Sequence, residues 1–192
     1  AGFINEALKD AGIGIDLGSG PGDLILELCK RTRMHWVNAD INPHCFPGFL
    51  ARAAEEGLGG RVSAIFADAQ ALPFRDGYAR IVVSRGSLQF WGDLKLGLSE
   101  VYRTLAPGGA AFIGRGLPRD MPPDVARTVR EGHSKEGKGG PPPYDPDETA
   151  RQLAEIMEEF GVKDYTVHRP RIEGAEDVNY GVWLEFHKPA EE

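Results

Sequence analysis

An open α/β sandwich, a mostly parallel central sheet with helices on both faces, is predicted by three features of the sequence. Short apolar runs alternate with segments of helical period from Ile13 to Gly114. The intervening segments are long enough to act as the crossovers that parallel strands require. The first apolar run also opens into a glycine-rich turn, GSGPG at residues 18–22, that leads directly into an amphipathic segment. With 192 residues, 41% of them apolar, the chain can bury one ordinary core, so a single domain over residues 1–192 is expected.

In chain order, a strand over 13–17 is followed by a helix over 23–31, and a strand over 35–41 by a helix over 46–56. A third strand covers 62–67, a turn falls at 72–77, and a fourth strand covers 79–84. A helix over 94–105 then leads to a fifth strand at 110–114. In such a sheet the ligand site lies beyond the carboxyl ends of the strands, where strand order reverses.

After Gly114 the pattern breaks. Residues 115–146 are rich in proline and glycine and include GHSKEGKGGPPPYDP, so neither a helix nor a sheet ladder is expected there, because proline lacks an N–H and glycine loses the most entropy on ordering. The segment reads as an inserted linker or, since it leaves strand five at the ligand edge, as a lid. A helix resumes over 147–160 with Asp147 as its N-cap and Gly161 as its stop. Strands over 165–169 and 182–187, joined by residues 170–181, form an expected C-terminal antiparallel hairpin at the sheet edge.

Composition removes several classes of function. A formal net charge of −7 disfavours a nucleic-acid-coating protein, which needs clustered Lys and Arg. The two cysteines, Cys29 and Cys45, are too few for a disulfide framework and lack the spacing of a zinc site, so a reducing, cytoplasmic setting and no bound metal are expected. No apolar run is long enough to span a membrane, and the opening AGFINEALKDAG lacks the organisation of a signal peptide. The chain starts at Ala1 without an initiator Met, so residues upstream of it are expected.

The turn at Gly18, Ser19, Gly20, Pro21 and Gly22 lets a ligand approach bare backbone. By itself it is weak evidence, since a tight strand-to-helix connection is the other reading, though the less favoured one. A dinucleotide fingerprint would place its third glycine one position later, where this chain has Asp23. Asp16 precedes the turn, Asp40 ends the second strand and Asp68 follows the third. Carboxylates converging at three strand tips repel a pyrophosphate and attract a ligand carrying an ammonium and a sulfonium. Asp40 is suited to accept from both ribose hydroxyls, and Asp68 from an exocyclic adenine amine, with the Ala69 amide serving the ring. Taken singly, each Asp is as well explained as a cap or turn residue.

The strings IDLGSGPG, NADINP, ADAQALPF and SEVYRTLAPGGAAFIG, in this order and spacing, resemble those of class I S-adenosylmethionine-dependent methyltransferases, above all the small-molecule type-11 group. The likeness runs from about Gly12 to Gly116, and VVSRGSLQFW at residues 82–91 is similar to a subset of these enzymes. It implies a Rossmann-like fold, with S-adenosylmethionine as cofactor and S-adenosylhomocysteine as product. By the resemblance, Asp16, Gly18, Ser19 and Gly20 meet the methionine part of the cofactor, Asp40 and Ile41 the ribose and adenine, and Asp68 and Ala69 the adenine. Ser84 to Ser87, Arg85 among them, pass beneath the methionine moiety and face the acceptor, whereas LAPGG at 105–109 is a structural turn.

Methyl transfer from a sulfonium is an in-line displacement on an already activated carbon, so alignment and exclusion of water matter more than an obligatory catalytic residue. Acceptor-side candidates are Arg85, Gln89, Phe90 and Trp91 after strand four, His44 after strand two, and His133 and Tyr144 in the insertion. Phe90 and Trp91 are better explained by packing, and Arg85 equally by an ion pair with a nearby Asp or by binding an anionic group. Few residues precede strand one, so either the 115–146 segment roofs the acceptor pocket or a dimer or partner protein completes it. The favoured reading is a methyltransferase acting on a small-molecule acceptor. The alternatives are a noncatalytic adenosylmethionine-binding subunit, an NAD or nucleotide-sugar enzyme on a similar sheet, and, less favoured, an RNA methyltransferase.

Overall fold

Ile13–Leu17 (β1), His35–Asp40 (β2), Val62–Phe66 (β3), Ala79–Arg85 (β4), Leu105–Gly116 (β5), Tyr165–His168 (β6) and Gly181–His187 (β7) join in one sheet of order β3-β2-β1-β4-β5-β7-β6. This computed structural model describes residues 11–117, 121–135 and 145–190, with the backbone alone for 131–135. The first five strands pair in parallel, and β7 runs antiparallel between β5 and β6. Strand order reverses at β1, which has β2 on one side and β4 on the other, so the carboxyl ends of these strands border a crevice.

Helices Asp23–Arg31 (α1), Phe46–Glu55 (α2), Leu94–Thr104 (α3), Pro123–Lys135 (α4) and Pro146–Glu159 (α5) accompany the sheet. Alternation along the strands divides the core into two layers. Ile15, Leu17, Val82 and Ile113 pack with Leu98 and Val101 of α3 and Leu153 and Met157 of α5. Trp36, Ile81 and Val83 pack with Ile25 and Leu28 of α1 and Phe49 and Ala53 of α2. Each such side chain, fully buried, contributes about 1.5–3 kcal/mol of transfer free energy.

The hairpin is present as expected, with β7 the inner strand. Two expectations are corrected. The N-cap of α5 is Asp145, whose Oδ1 accepts from the Asp147 and Glu148 amides at 2.8 and 3.1 Å, because Pro146 fits the first helical turn. Asp147 is thereby free to pair with Arg169 at 2.9 Å. The second correction lies in residues 115–146, where regular structure was not expected. β5 continues through Gly116, paired to Gly181, and α4 follows.

Proline did not exclude that helix because Pro122 and Pro123 stand at its start, where the missing N–H has no helical acceptor to lose. Ala126 and Val129 present an apolar stripe to Leu117, Val178 and Tyr180, a third small core at the carboxyl end of β5. The Tyr180 hydroxyl donates to the Met121 carbonyl at 3.1 Å, and Arg127 grips Asp177 through two contacts of 2.8 Å. Residues 136–144, Tyr144 included, lie outside the described residues.

Candidate functional site

The turn from β1 into α1 is shaped by close backbone approach. The Gly18 amide donates to the Ala39 carbonyl at 2.7 Å, which draws the turn onto β2. Gly18 has φ +71°, and a Cβ there would stand 2.2 Å from the Ser87 Cβ; Gly22 has φ +79°, and its Cβ would stand 2.2 Å from the Phe49 ring. Both positions therefore require glycine for conformation and for space. Ser87 itself is anchored from below. Its Oγ donates to the Leu17 carbonyl at 3.0 Å, shares a 2.6 Å hydrogen bond with Ser84 Oγ, and accepts from the Trp91 indole at 3.1 Å.

Asp16 is 2% exposed. Burial pushes its carboxyl up to about 7; the Ser19 hydroxyl and the Arg85 guanidinium pull the other way, and the Asp40 charge adds to the rise. With Gly18, Ser19, Gly20 and Arg85 it lines a cavity of about 240 Å³ at the crevice. Ser19 Oγ is buried there and has no hydrogen bond of normal geometry among the described residues.

Asp40 is buried at the tip of β2. One carboxylate oxygen accepts from the Gly20 amide at 2.7 Å and the other from the Asn42 amide at 2.8 Å, so it ties the glycine turn to the second strand tip. A carboxylate offers about four lone-pair sites, which leaves acceptor capacity at both oxygens. Ile41 beside it is 62% exposed. Asp68, beyond β3, accepts from the Gln70 amide at 2.9 Å, and Ala69 next to it is buried. The three aspartates thus stand at the ends of three adjacent strands, the arrangement the sequence reading requires.

Other candidates are placed differently. Trp91 is half-buried against the α3 core layer, its ring beneath Gly97. Phe90, expected to pack inward like Trp91, is instead 66% exposed, because the 3-10 turn Leu88–Phe90 buries Leu88 and turns Phe90 outward. Gln89 is held to the Gly86 carbonyl at 2.6 Å. His44 is exposed in the 3-10 turn Pro43–Cys45. His133 is on the last turn of α4. Among the described residues no three His, Cys, Asp or Glu side chains are grouped to hold a metal.

Sequence reasoning missed Asn38 and Gln70. Asn38 is buried in β2 and donates to the Gly20 carbonyl at 3.0 Å, and Gln70 accepts from the Asp93 amide at 2.5 Å, joining the third and fourth strand tips. A polar residue inside the apolar run HWVNAD was the available signal for Asn38, since buried amides take partners.

Strand order and connectivity together define a Rossmann-like protein with a crevice at the carboxyl ends of β1, β2 and β4. The sequence profile of the methyltransferase domain family matches residues 15–109. Demethylmenaquinone methyltransferase of Thermus thermophilus is 40% identical over 100 residues, 52% of this chain and 44% of that protein. The chloroplastic 2-methyl-6-phytyl-1,4-hydroquinone methyltransferase of Arabidopsis thaliana is 35% identical over 106 residues, 54% of this chain and 30% of that protein. The chain thus spans less than half the length of either relative. A crystal structure from Methanococcus maripaludis, described as an S-adenosyl-L-methionine-dependent methyltransferase, superposes with a TM-score of 0.78 at 28% identity, over 100% of this chain and 84% of that one. The chain belongs to the class I S-adenosylmethionine-dependent methyltransferases, in the type-11-like group.

The residues present fit that cofactor's chemistry. A buried carboxylate and a buried hydroxyl beside it line one cavity next to bare backbone, a donor and acceptor set for a small polar, cationic group.

Proposed function

We propose that this protein is an S-adenosylmethionine-dependent methyltransferase acting on a small-molecule acceptor. The observation that carries the reading is the placement of Asp16, Asp40 and Asp68 at the carboxyl ends of three adjacent strands, with Asp40 tied to the glycine turn through the Gly20 amide. In this reading Asp16, Gly18, Ser19 and Gly20 surround the methionine end, Asp40 accepts from the ribose, Ile41 covers the adenine, and Asp68 and Ala69 take its polar edge. Bound adenosylmethionine supplies the sulfonium-activated methyl group. The protein's share is alignment and dryness: the Ser84–Ser87–Trp91 hydrogen bonds hold the β4 tip, and the α4 core walls the same end of the sheet.

The relatives' names give the first acceptors to try, demethylmenaquinone and prenylated hydroquinones, whose ring carbons or oxygens would be methylated. A cytoplasmic location, supported by the free thiols Cys29 and Cys45, belongs to the same reading. No helix among the described residues is long and apolar enough to cross a membrane. Completion of the acceptor pocket by a second copy or a partner chain is also part of it.

Calorimetry tests the reading. Adenosylmethionine and adenosylhomocysteine are expected to bind with micromolar-scale Kd and NAD not to bind. Failure of both adenosyl ligands, or preference for NAD, overturns it. Binding with no turnover across hydroquinone, phenol, thiol and amine acceptors would favour the noncatalytic subunit instead.

A further inference from the structure

Two of the three buried cores line the faces of the sheet, but the third holds no strand residue. It joins Ala126 and Val129 of α4 to Ala175, Val178 and Tyr180 of the β6–β7 loop, together with Leu117. Polar contacts tie the same two segments. Besides the Arg127–Asp177 pair and the Tyr180 hydroxyl on the Met121 carbonyl, the Arg130 guanidinium donates to the Asn179 carbonyl. Helix and loop therefore cohere as one small body with its own apolar interior.

That body meets the sheet at a single rung of the β5–β7 ladder. Gly116 and Gly181 are paired there, at the carboxyl end of β5 and the start of β7. Their φ values are +152° and +102°, and a Cβ on either would collide with the backbone of the opposing strand. A rung without side chains has no packing to resist rotation, and glycine tolerates the dihedral changes that rotation requires. Arg169 braces it from outside. Its Nη1 donates to the Gly181 carbonyl at 2.6 Å and its Nε to the Asp147 carboxylate of α5 at 2.9 Å, while Arg171 reaches the same carboxylate at 3.4 Å. The Arg169 guanidinium holds the Asp147 carboxyl below the usual carboxylate range, so the brace is an ionic latch between this body and α5.

We propose that α4 and residues 170–180 form a cap that swings as one body about the Gly116–Gly181 rung and is latched to α5 through Arg169 and Asp147. β5 lies beside β4, so the cap stands at the strand end that adjoins the Ser84–Ser87 segment. The inference rests on the methyltransferase reading only in naming that end the acceptor side. A cap that carries its own core moves without disturbing the two layers that hold the strand tips rigid.

Hydrogen exchange read by mass spectrometry on the whole chain tests the cap and needs no acceptor, with thermal melting to confirm that each variant folds. Peptides from 121–130 and from 172–180 are expected to open together, with protection within about threefold of each other and about a hundredfold below that of β1 and β4, because a subglobal unit opens as a whole. Asp147→Asn is expected to speed exchange of both segments about threefold, the scale of an exposed ion pair. Arg169→Gln, which also withdraws the charged donor from the Gly181 carbonyl, is expected to speed both about tenfold. Exchange of β1 and β4, and the calorimetric affinity for adenosylhomocysteine, are expected to stay unchanged in both variants. Separate opening of the two segments in the unaltered protein, protection equal to that of β1, or no common response to either latch variant overturns the cap and leaves the methyltransferase reading intact. Failure of the unaltered protein to bind adenosylhomocysteine overturns that reading, while the exchange result still decides the cap.

Discussion

Asp16 sits where a charge is costly, and its carboxyl is held near neutrality by burial. An unfolded aspartate titrates near 3.8, whereas this one titrates at about 7, so between those values the folded chain keeps a proton that the unfolded chain has lost. Stability from this group is therefore present at acid pH and declines as pH rises toward 7, by on the order of 4 kcal/mol at about 1.4 kcal/mol per pH unit. Asp16→Asn is expected to flatten that slope and to raise the unfolding midpoint of the ligand-free protein above pH 7, as urea titrations at pH 5 and 8 would record. An ammonium ligand reverses the balance by favouring the ionised form, so adenosylmethionine should bind more tightly as pH rises through 7. At Asp40 two effects overlap. Asp40→Ala is expected to weaken nucleoside binding by about 1–3 kcal/mol through a lost charge-assisted bond. It also frees the Gly20 and Asn42 amides, so thermal melting must accompany the affinity measurement.

Among the elements, the β1–α1 turn depends on its neighbours as much as on its own glycines. Gly18→Ala would drive a methyl into Ser87 at a positive φ, and its expected effect is a loss of roughly 1–3 kcal/mol of stability, seen in the denaturant midpoint, together with weakened cofactor binding. The double change Gly18→Ala with Ser87→Gly should recover part of the steric loss and none of the φ strain. The glycine pattern in GSGPG was legible in the sequence because unusual dihedrals need a residue without Cβ. That Ser87, separated by 69 residues, fills the space left by Gly18 was not, since nothing local to either residue records the contact. Likewise α4 was hidden behind its prolines. Its apolar stripe at Ala126 and Val129 is short, and its partners Val178 and Tyr180 lie in a loop far along the chain.

For the molecule as a whole, the two core layers and the central sheet supply the rigidity on which the strand tips depend. Phe186 of β7 is fully buried and far in sequence from the glycine turn. Phe186→Ala is expected to cost about 3–5 kcal/mol in a denaturant titration while leaving the affinity of the folded fraction for adenosylhomocysteine unchanged. A matching loss of affinity would mean that the edge strands shape the site directly. The sequence by itself determined the alternation of strands and helices, the turn after β1 and the acidic residue at each of three strand ends, because these follow from periodicity, backbone conformation and spacing within short windows. Only the tertiary structure decided that Asp145 caps α5, that Phe90 faces outward, that α4 exists, and that Arg85 shares a cavity with Asp16. Each depends on which distant groups compete for the same space or hydrogen bond, and that competition exists only once the chain has closed on itself.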